Sequence, residues 1–482
     1  MERTILRTNL MKMEFRSYNR YTELAFFLFE YLFPLLGIPK KKAEKLEFWS
    51  SENSIQSSFI QDEDYTLFIA INHSAVFQFN YDKKIPESDI NLAKKIIDVY
   101  YSFSKFRWKS NSSRRLNFDY YTENIARKNY EMTVQTGISN WIIGNITKNE
   151  NKIYDLLEHL ETWAVKTYEG KKVSFGILVN KTESASDQKC NFVEFLKDDY
   201  SATLTDSITS VIEIDRDGFI ISYHSITEND RIRQIRLDHT KPYRFSHVLD
   251  NFINSERVGV FLLSNGDILI ADKGEIRFVK RNLKWLNISY EAFHHAIKYS
   301  LELLKKNNSI KMKIREKIIK EVYASVLDVS FSHSGGIISI IDKIESISQS
   351  NKDSAQTLSD IDNLTLDENK LQSDNVDTTQ NNDNNAKMSK RYIIKKLYAG
   401  EDFIHIDRKL RSELIAMDGA CIIGQDGTIY SFGAIIKNEI GSSHGGRGSA
   451  CEKLSKNGIA VKISTDGYIE MYAAGEIVYE IK

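Results

Sequence analysis

The order of apolar runs and turns over residues 150–278 of this chain recurs over residues 314–479. In the first stretch, Glu150–Tyr168 has amphipathic helical spacing and Val173–Asn180 (VSFGILVN) reads as a buried strand. Val211–Tyr223 reads as a hairpin turning at Asp217-Gly218, Ser246–Ser255 as a helix, and Val258–Phe278 as a second hairpin. In the second stretch, a helix at Ile314–Leu327, a strand at Gly336–Ile341 and a helix at Phe403–Ala416 come first. A hairpin turning at Asp426-Gly427, a helix at Ala450–Leu454 and a last hairpin at Ile459–Tyr479 follow. The closing hairpins share one frame: Gly266-Asp-Ile and Gly274-Glu275-Ile276 match Gly467-Tyr-Ile and Gly475-Glu476-Ile477. Repeated order and a shared frame suggest an internal duplication. The alternative is two unrelated hairpins with the same turn grammar.

Residues 349–390 interrupt the second stretch, between the strand-like GGIISIID (335–342) and the helical RYIIKKLYAG (391–400). This segment is rich in Ser, Asn, Asp and Gln and poor in large apolar residues, so it cannot bury enough surface to offset backbone entropy. It reads as a disordered polar insertion, which costs little in loop closure. Four regions result: a mixed region 1–150, an α/β region 151–290, a region made of 291–348 plus 391–482, and the insertion. Within 1–150, Tyr65–Phe79 looks strand-like and Ile90–Phe103 helical, without chemistry that can be named.

Several function classes recede on composition. Lys plus Arg number 65 against 66 Asp plus Glu, so no global field recruits nucleic acid or an anionic membrane. The run Leu24–Ile38 (LAFFLFEYLFPLLGI), broken by Glu30 and Pro34, falls short of the ~20 residues a span requires. The three cysteines, Cys190, Cys421 and Cys451, form no zinc-like spacing and no disulfide framework. The expectation is a cytoplasmic protein without a membrane span.

The two copies are unequal where chemistry is concentrated. Eight residues before Asp426 stands Asp418, whereas eight before Asp217 stands Thr209, with Asp206 nearby but out of register. Asp418 opens Asp418-Gly419-Ala420, whose small residues allow a ligand to approach the backbone. Downstream, Gly441-Ser442-Ser443-His444-Gly445-Gly446-Arg447-Gly448-Ser449 precedes a helix, an arrangement that binds anions through amides and the helix dipole. The corresponding segment of the first copy, 226–245, has no glycine. Asp-Gly is also an ordinary turn dipeptide, and a glycine-rich loop is also an ordinary hairpin connection.

These residues resemble the diadenylate cyclase (DAC) domain family, which condenses two ATP into cyclic di-AMP. The family has a DGA motif at the start of a strand and, after a hairpin, a G-T-R-H-R-A-A loop leading into a helix. DGA is intact at 418–420; GGRGSAC (Gly445–Cys451) falls at the second motif, and Ser464-Thr465-Asp466-Gly467 at the family's Ser-Glu-Glu turn. The resemblance covers roughly residues 315–482. It implies an α/β fold with a mixed central sheet flanked by helices, preceded by a further α/β or α+β region that is a degenerate copy if the duplication holds.

By the same resemblance, Asp418 binds Mg2+ or Mn2+ or activates a ribose 3′-hydroxyl, and Arg447 holds phosphate. Gly419, Ala420, Gly445, Gly446, Gly448, Ser449 and Ser464 line the nucleotide pocket. The implied reaction is attack of one ATP's 3′-hydroxyl on another's α-phosphate, with two domains meeting as a homodimer or as an intramolecular pseudo-dimer with 151–290. Residues 1–150 would then act as a sensor. The chain departs from the family at Met417, Gly446, Gly448 and Ser449, which replace a histidine, a threonine, a histidine and the second arginine. Losing an arginine removes charge-assisted phosphate contacts, which Lys453, Lys456 or His444 would have to replace. A catalytically inactive nucleotide-sensing or scaffold module is therefore the rival expectation.

Overall fold

A computed structural model describes residues 3–4, 20–39, 47–49, 58–63, 66–71, 75–81, 83–110, 120–143, 151–181, 190–226, 238–303, 312–341, 397, 401–434, 436 and 445–482. The insertion 349–390, Lys40–Lys42 and residues 441–444 lie outside the described residues. The chain divides into two compact units, Met1–Ala292 with Ile481–Lys482, and Phe293–Glu480. Both are α/β, built on mixed sheets.

In the first unit, the apolar run at Leu24–Ile38 forms short helical segments whose Phe27, Leu28, Leu32 and Phe33 are fully buried. No helix among the described residues is long and apolar enough to cross a membrane. The stretch Tyr65–Phe79 forms two strands, Thr66–Ile71 and Ala75–Asn80, paired antiparallel within a five-stranded sheet. The helix expected at Ile90–Phe103 runs from Glu87 to Ser110. One continuous core joins Phe27, Ile96 and Tyr130 to Leu157, Phe175, Ile212, Val260 and Phe278, so no break at residue 150 separates two cores.

The rest of that unit is helix α1 (Asn151–Ala164), strands β1 (Phe175–Asn180), β2 (Ser210–Ile214) and β3 (Ile220–Ser225), helix α2 (Ser246–Phe252), and strands β4 (Arg257–Leu262), β5 (Ile268–Asp272), β6 (Glu275–Arg281) and β7 (Lys284–Asn287). The strand order is β3-β2-β1-β4-β5-β6-β7, with β1 and β2 parallel and the other neighbours antiparallel.

The second unit holds α3 (Met312–Ser332), β8 (Gly336–Ile341), α4 (Arg408–Ile415), β9 (Ala420–Gly424), β10 (Ile429–Ala434), α5 (Gly445–Ser455), β11 (Gly458–Ile463), β12 (Ile469–Ala473) and β13 (Glu476–Ile481). Its sheet order is β10-β9-β8-β11-β12-β13, again with one parallel pair, β8 and β9, at the same place. The two sheets therefore share a strand order and the place of their one parallel pair. The extra strand β7 belongs only to the first.

All six residues of β8 are buried, as expected of a strand covered on both faces. On one face, Ile337, Ile341, Ala420, Ile422 and Ala460 pack with Ala450, Cys451 and Leu454 of α5. Helices α3 and α4 contact β11 and β8–β10 respectively, and α3 buries Ile318, Ile319, Val322, Val326 and Leu327 at helical spacing. Two arginines tie α4 to α3. Arg408 forks onto Asp328 (Nε 2.7 Å, Nη2 3.0 Å). The buried Arg411 reaches Ser325 (2.8 Å), the Phe403 carbonyl (3.1 Å) and Glu321 (2.5 Å). The planar fork of arginine is what allows one buried cation to satisfy three partners. Asp407 caps α4 by accepting from the Leu410 amide (3.0 Å), so the helix begins later than the expected Phe403.

Candidate functional site

Strand register brings three separate segments to one end of the second sheet. Ile337 pairs with Ala420 and Gly336 with Ile463. Continuing both registers sets Gly335 beside Asp418 on one side and Ser464 on the other. Helix α4, held by its two arginines, delivers the chain through Ala416 and Met417 to Asp418, whose side chain is exposed. Gly419 has φ +99°, and a Cβ there would stand 2.4 Å from the Gly433 carbonyl carbon and 2.8 Å from the Ala434 oxygen. Glycine at 419 is thus demanded by β10 itself. Ala420 is fully buried as the first residue of β9.

The glycine loop differs from its sequence expectation. Helix α5 starts at Gly445 rather than Ala450, so Gly446, Arg447, Gly448 and Ser449 lie in its first turns. Three glycines and a serine before Ala450 lower helix propensity enough to hide this. Packing decides otherwise: Gly448, Ser449, Ala450 and Cys451 are buried, and their small side chains bring α5 close to β8, β11 and β12. Gly445 has φ +70°, and among the described residues no atom outside its own helix and chain neighbours lies within 4 Å of a Cβ added there or at Gly446. Residues 441–444, which lead into this turn, lie outside the described residues.

Arg447 is half-buried, and its guanidinium has no hydrogen-bond or ion-pair partner among the described residues. Its Nη1 is 2.6 Å from where a Cβ on Gly335 would stand. The Ser449 hydroxyl is buried and unpartnered among the described residues, and does not bond back along its helix. Ser464 serves its own turn: its side-chain oxygen accepts from the Tyr468 amide (3.0 Å), and its carbonyl accepts from the Gly467 amide (2.9 Å). The side chains of Thr465 and Asp466 are exposed on that turn. Lys462, a cation near this end, is engaged with Glu470 at 2.8 Å, and Tyr472 donates to the same carboxylate at 2.9 Å.

Among the described residues no cluster of three or more His, Cys, Asp or Glu could hold a metal by itself. A single carboxylate at Asp418 fits a Mg2+ that completes its shell with substrate phosphates and water, not an all-protein cage.

The equivalent end of the first sheet is filled by its own chain. Pairing Ile177 with Ile212 in β1/β2 and Ile338 with Cys421 in β8/β9 sets Thr209 at the position of Asp418. Asp206 accepts from the amides of Ile208 (3.1 Å), Thr209 (2.7 Å) and Ser210 (3.0 Å). Burial pushes its carboxyl up, but hydrogen bonds from Thr209, Ile208 and Ser210 outweigh it and hold the group below the usual carboxylate range. The Thr205 hydroxyl accepts from the Gly176 amide at 2.8 Å, and Ser207 is buried with φ +64°. Aligning the two copies by sequence locates the unequal acid but not this self-filling turn, because its contacts cross between β1 and the chain before β2. No protein-family model matches this chain, and no curated protein matches it either.

Proposed function

We propose that the Phe293–Glu480 unit binds a nucleoside triphosphate of the ATP type and acts as a DAC-like nucleotidyltransferase. The observation that carries this reading is the Arg447 guanidinium in the first turn of α5, unpartnered among the described residues, at the sheet end where Asp418 emerges. Arg447 would donate to phosphate oxygens, and the buried Ser449 hydroxyl faces no partner among the described residues. A divalent Mg2+ or Mn2+, when bound with substrate, would neutralise phosphate charge. Asp418 would hold that ion or take the proton of the attacking 3′-hydroxyl. A bond then forms between O3′ and the α-phosphorus, the bond to pyrophosphate breaks, and a second transfer closes the ring. Catalysis of this kind rests on positioning and charge neutralisation. Because the first unit's equivalent end is filled by residues 205–210, the second ATP would come from a second copy of this chain.

Ser449 also favours a second reading. A serine buried in α5 stands where the resembling family has its second arginine, and it supplies no charge. On that reading the unit binds nucleotide without turnover, as a sensor or scaffold. Incubating the full chain with ATP and Mg2+ or Mn2+, then separating pyrophosphate and cyclic dinucleotide by chromatography, decides between them. Product that vanishes in Asp418→Asn and Arg447→Ala supports the enzyme. Tight ATP binding without product supports the sensor, and absence of nucleotide binding removes both.

A further inference from the structure

Gly335 stands between α3 and β8 with φ +69°. A Cβ there would lie 2.6 Å from Arg447 Nη1, 3.2 Å from Arg447 Cζ and 3.2 Å from Thr465 Cγ2. The guanidinium and the threonine methyl therefore close over the bare backbone of residue 335. Positive φ alone does not require glycine here, since asparagine also enters the left-handed region. What only glycine supplies is the volume that the guanidinium occupies.

This seat is held firmly from below. The Ser330 hydroxyl, in the last turn of α3, donates to the Gly467 carbonyl at 2.5 Å and so ties the Thr465 turn to the helix that leads into Gly335. The Ser464 contacts close the same turn. Arg447 is thus placed by shape on a braced surface, and no described residue takes up its donors. An arginine held this way loses less rotamer freedom on meeting an anion.

We infer that Gly335 and Thr465 are positioning residues that aim Arg447 at the phosphates, and that this seat makes the site prefer a nucleoside polyphosphate over the bare nucleoside. The inference rests on the nucleotide-binding reading above. Its test is calorimetric titration of the full chain with ATP and, separately, with adenosine. Gly335→Ala and Gly335→Asn are expected to weaken ATP about 10- to 100-fold, the range for losing hydrogen bonds from a charged group. Adenosine affinity stays unchanged. The asparagine variant tolerates the left-handed backbone, so a loss shared by both belongs to the displaced guanidinium and not to strain. Thr465→Ile, at an exposed turn position, crowds the guanidinium from the other side and should reproduce the selective loss even where a 335 variant fails to fold. Wild-type ATP affinity in folded Gly335→Asn and Thr465→Ile, or a parallel fall for ATP and adenosine, overturns the inference alone. A wild-type chain that binds no ATP removes the nucleotide-binding reading with it.

Discussion

Replacing Gly419 by alanine, beside replacing Gly446 by alanine, separates glycines the fold requires from glycines a ligand would require. At Gly419 the backbone has φ +99°, and the new Cβ would meet Gly433 C at 2.4 Å, Gly433 O at 2.6 Å and Ala434 O at 2.8 Å. The left-handed conformation costs an alanine about 1–2 kcal/mol. The colliding atoms are backbone of β10, so relief means shifting a strand, for about 1–3 kcal/mol more. The total is about 2–5 kcal/mol, or roughly 4–20 °C in the melting transition of a unit this size. At Gly446 no described atom outside the helix's own backbone lies within 4 Å of the new Cβ, and alanine is the better helix former by about 0.5–1 kcal/mol. Gly446→Ala should leave the transition unchanged or raise it, while weakening ATP by intruding where phosphate approaches. Differential scanning calorimetry reads the first quantity and isothermal titration the second. An unshifted transition in Gly419→Ala, or a lowered one in Gly446→Ala, would refute the reasoning.

Arg411→Ala leaves Glu321 and the Phe403 carbonyl without their buried cation and should cost about 3–5 kcal/mol in urea unfolding, where a surface arginine would cost little. Asp206 titrates below the usual range in the folded state, burial opposing and the Thr209, Ile208 and Ser210 hydrogen bonds prevailing. It therefore adds stability above the ordinary aspartate range that is lost as pH falls through its lowered value; Asp206→Asn should flatten that acid limb of stability against pH. Burial raises the thiol pKa of both Cys421 and Cys451, and Cys190 is exposed. A thiolate-selective reagent should label Cys190 rapidly in the native chain and the other two only on unfolding, as peptide mass spectrometry would show.

Much of the architecture is legible along the chain because it is written in local pattern. Strand runs such as Gly336–Ile341 are apolar but for Ser339, the Asp-Gly turns mark their hairpins, and α3 shows helical spacing. Their order alone exposes the repeat, and the offset between Thr209 and Asp418 survives in the pairing registers. The true start of α5 escapes a sequence reading because glycine propensity is local and the burial that overrides it is not. Nothing in the sequence sets Arg411 apart from the other charges of its helix; only the neighbouring α3 makes it a buried clamp. Gly335 reads as the first residue of a strand, and nothing along the chain links it to a side chain 112 residues away (447 minus 335).

Periodicity and turn chemistry act over a few residues, so the amino-acid order suffices for the repeated sequence of elements, the single acid beside a glycine-rich segment, and the class of fold. Which end of each sheet stays open is a matter of tertiary packing. In the first unit Thr205 and Asp206 fold back and accept from backbone amides there. In the second, Gly419 packs on β10 and Arg447 on Gly335, and no described residue pairs with that guanidinium. That difference rests on volumes and hydrogen bonds between residues far apart in the chain, which no local pattern records.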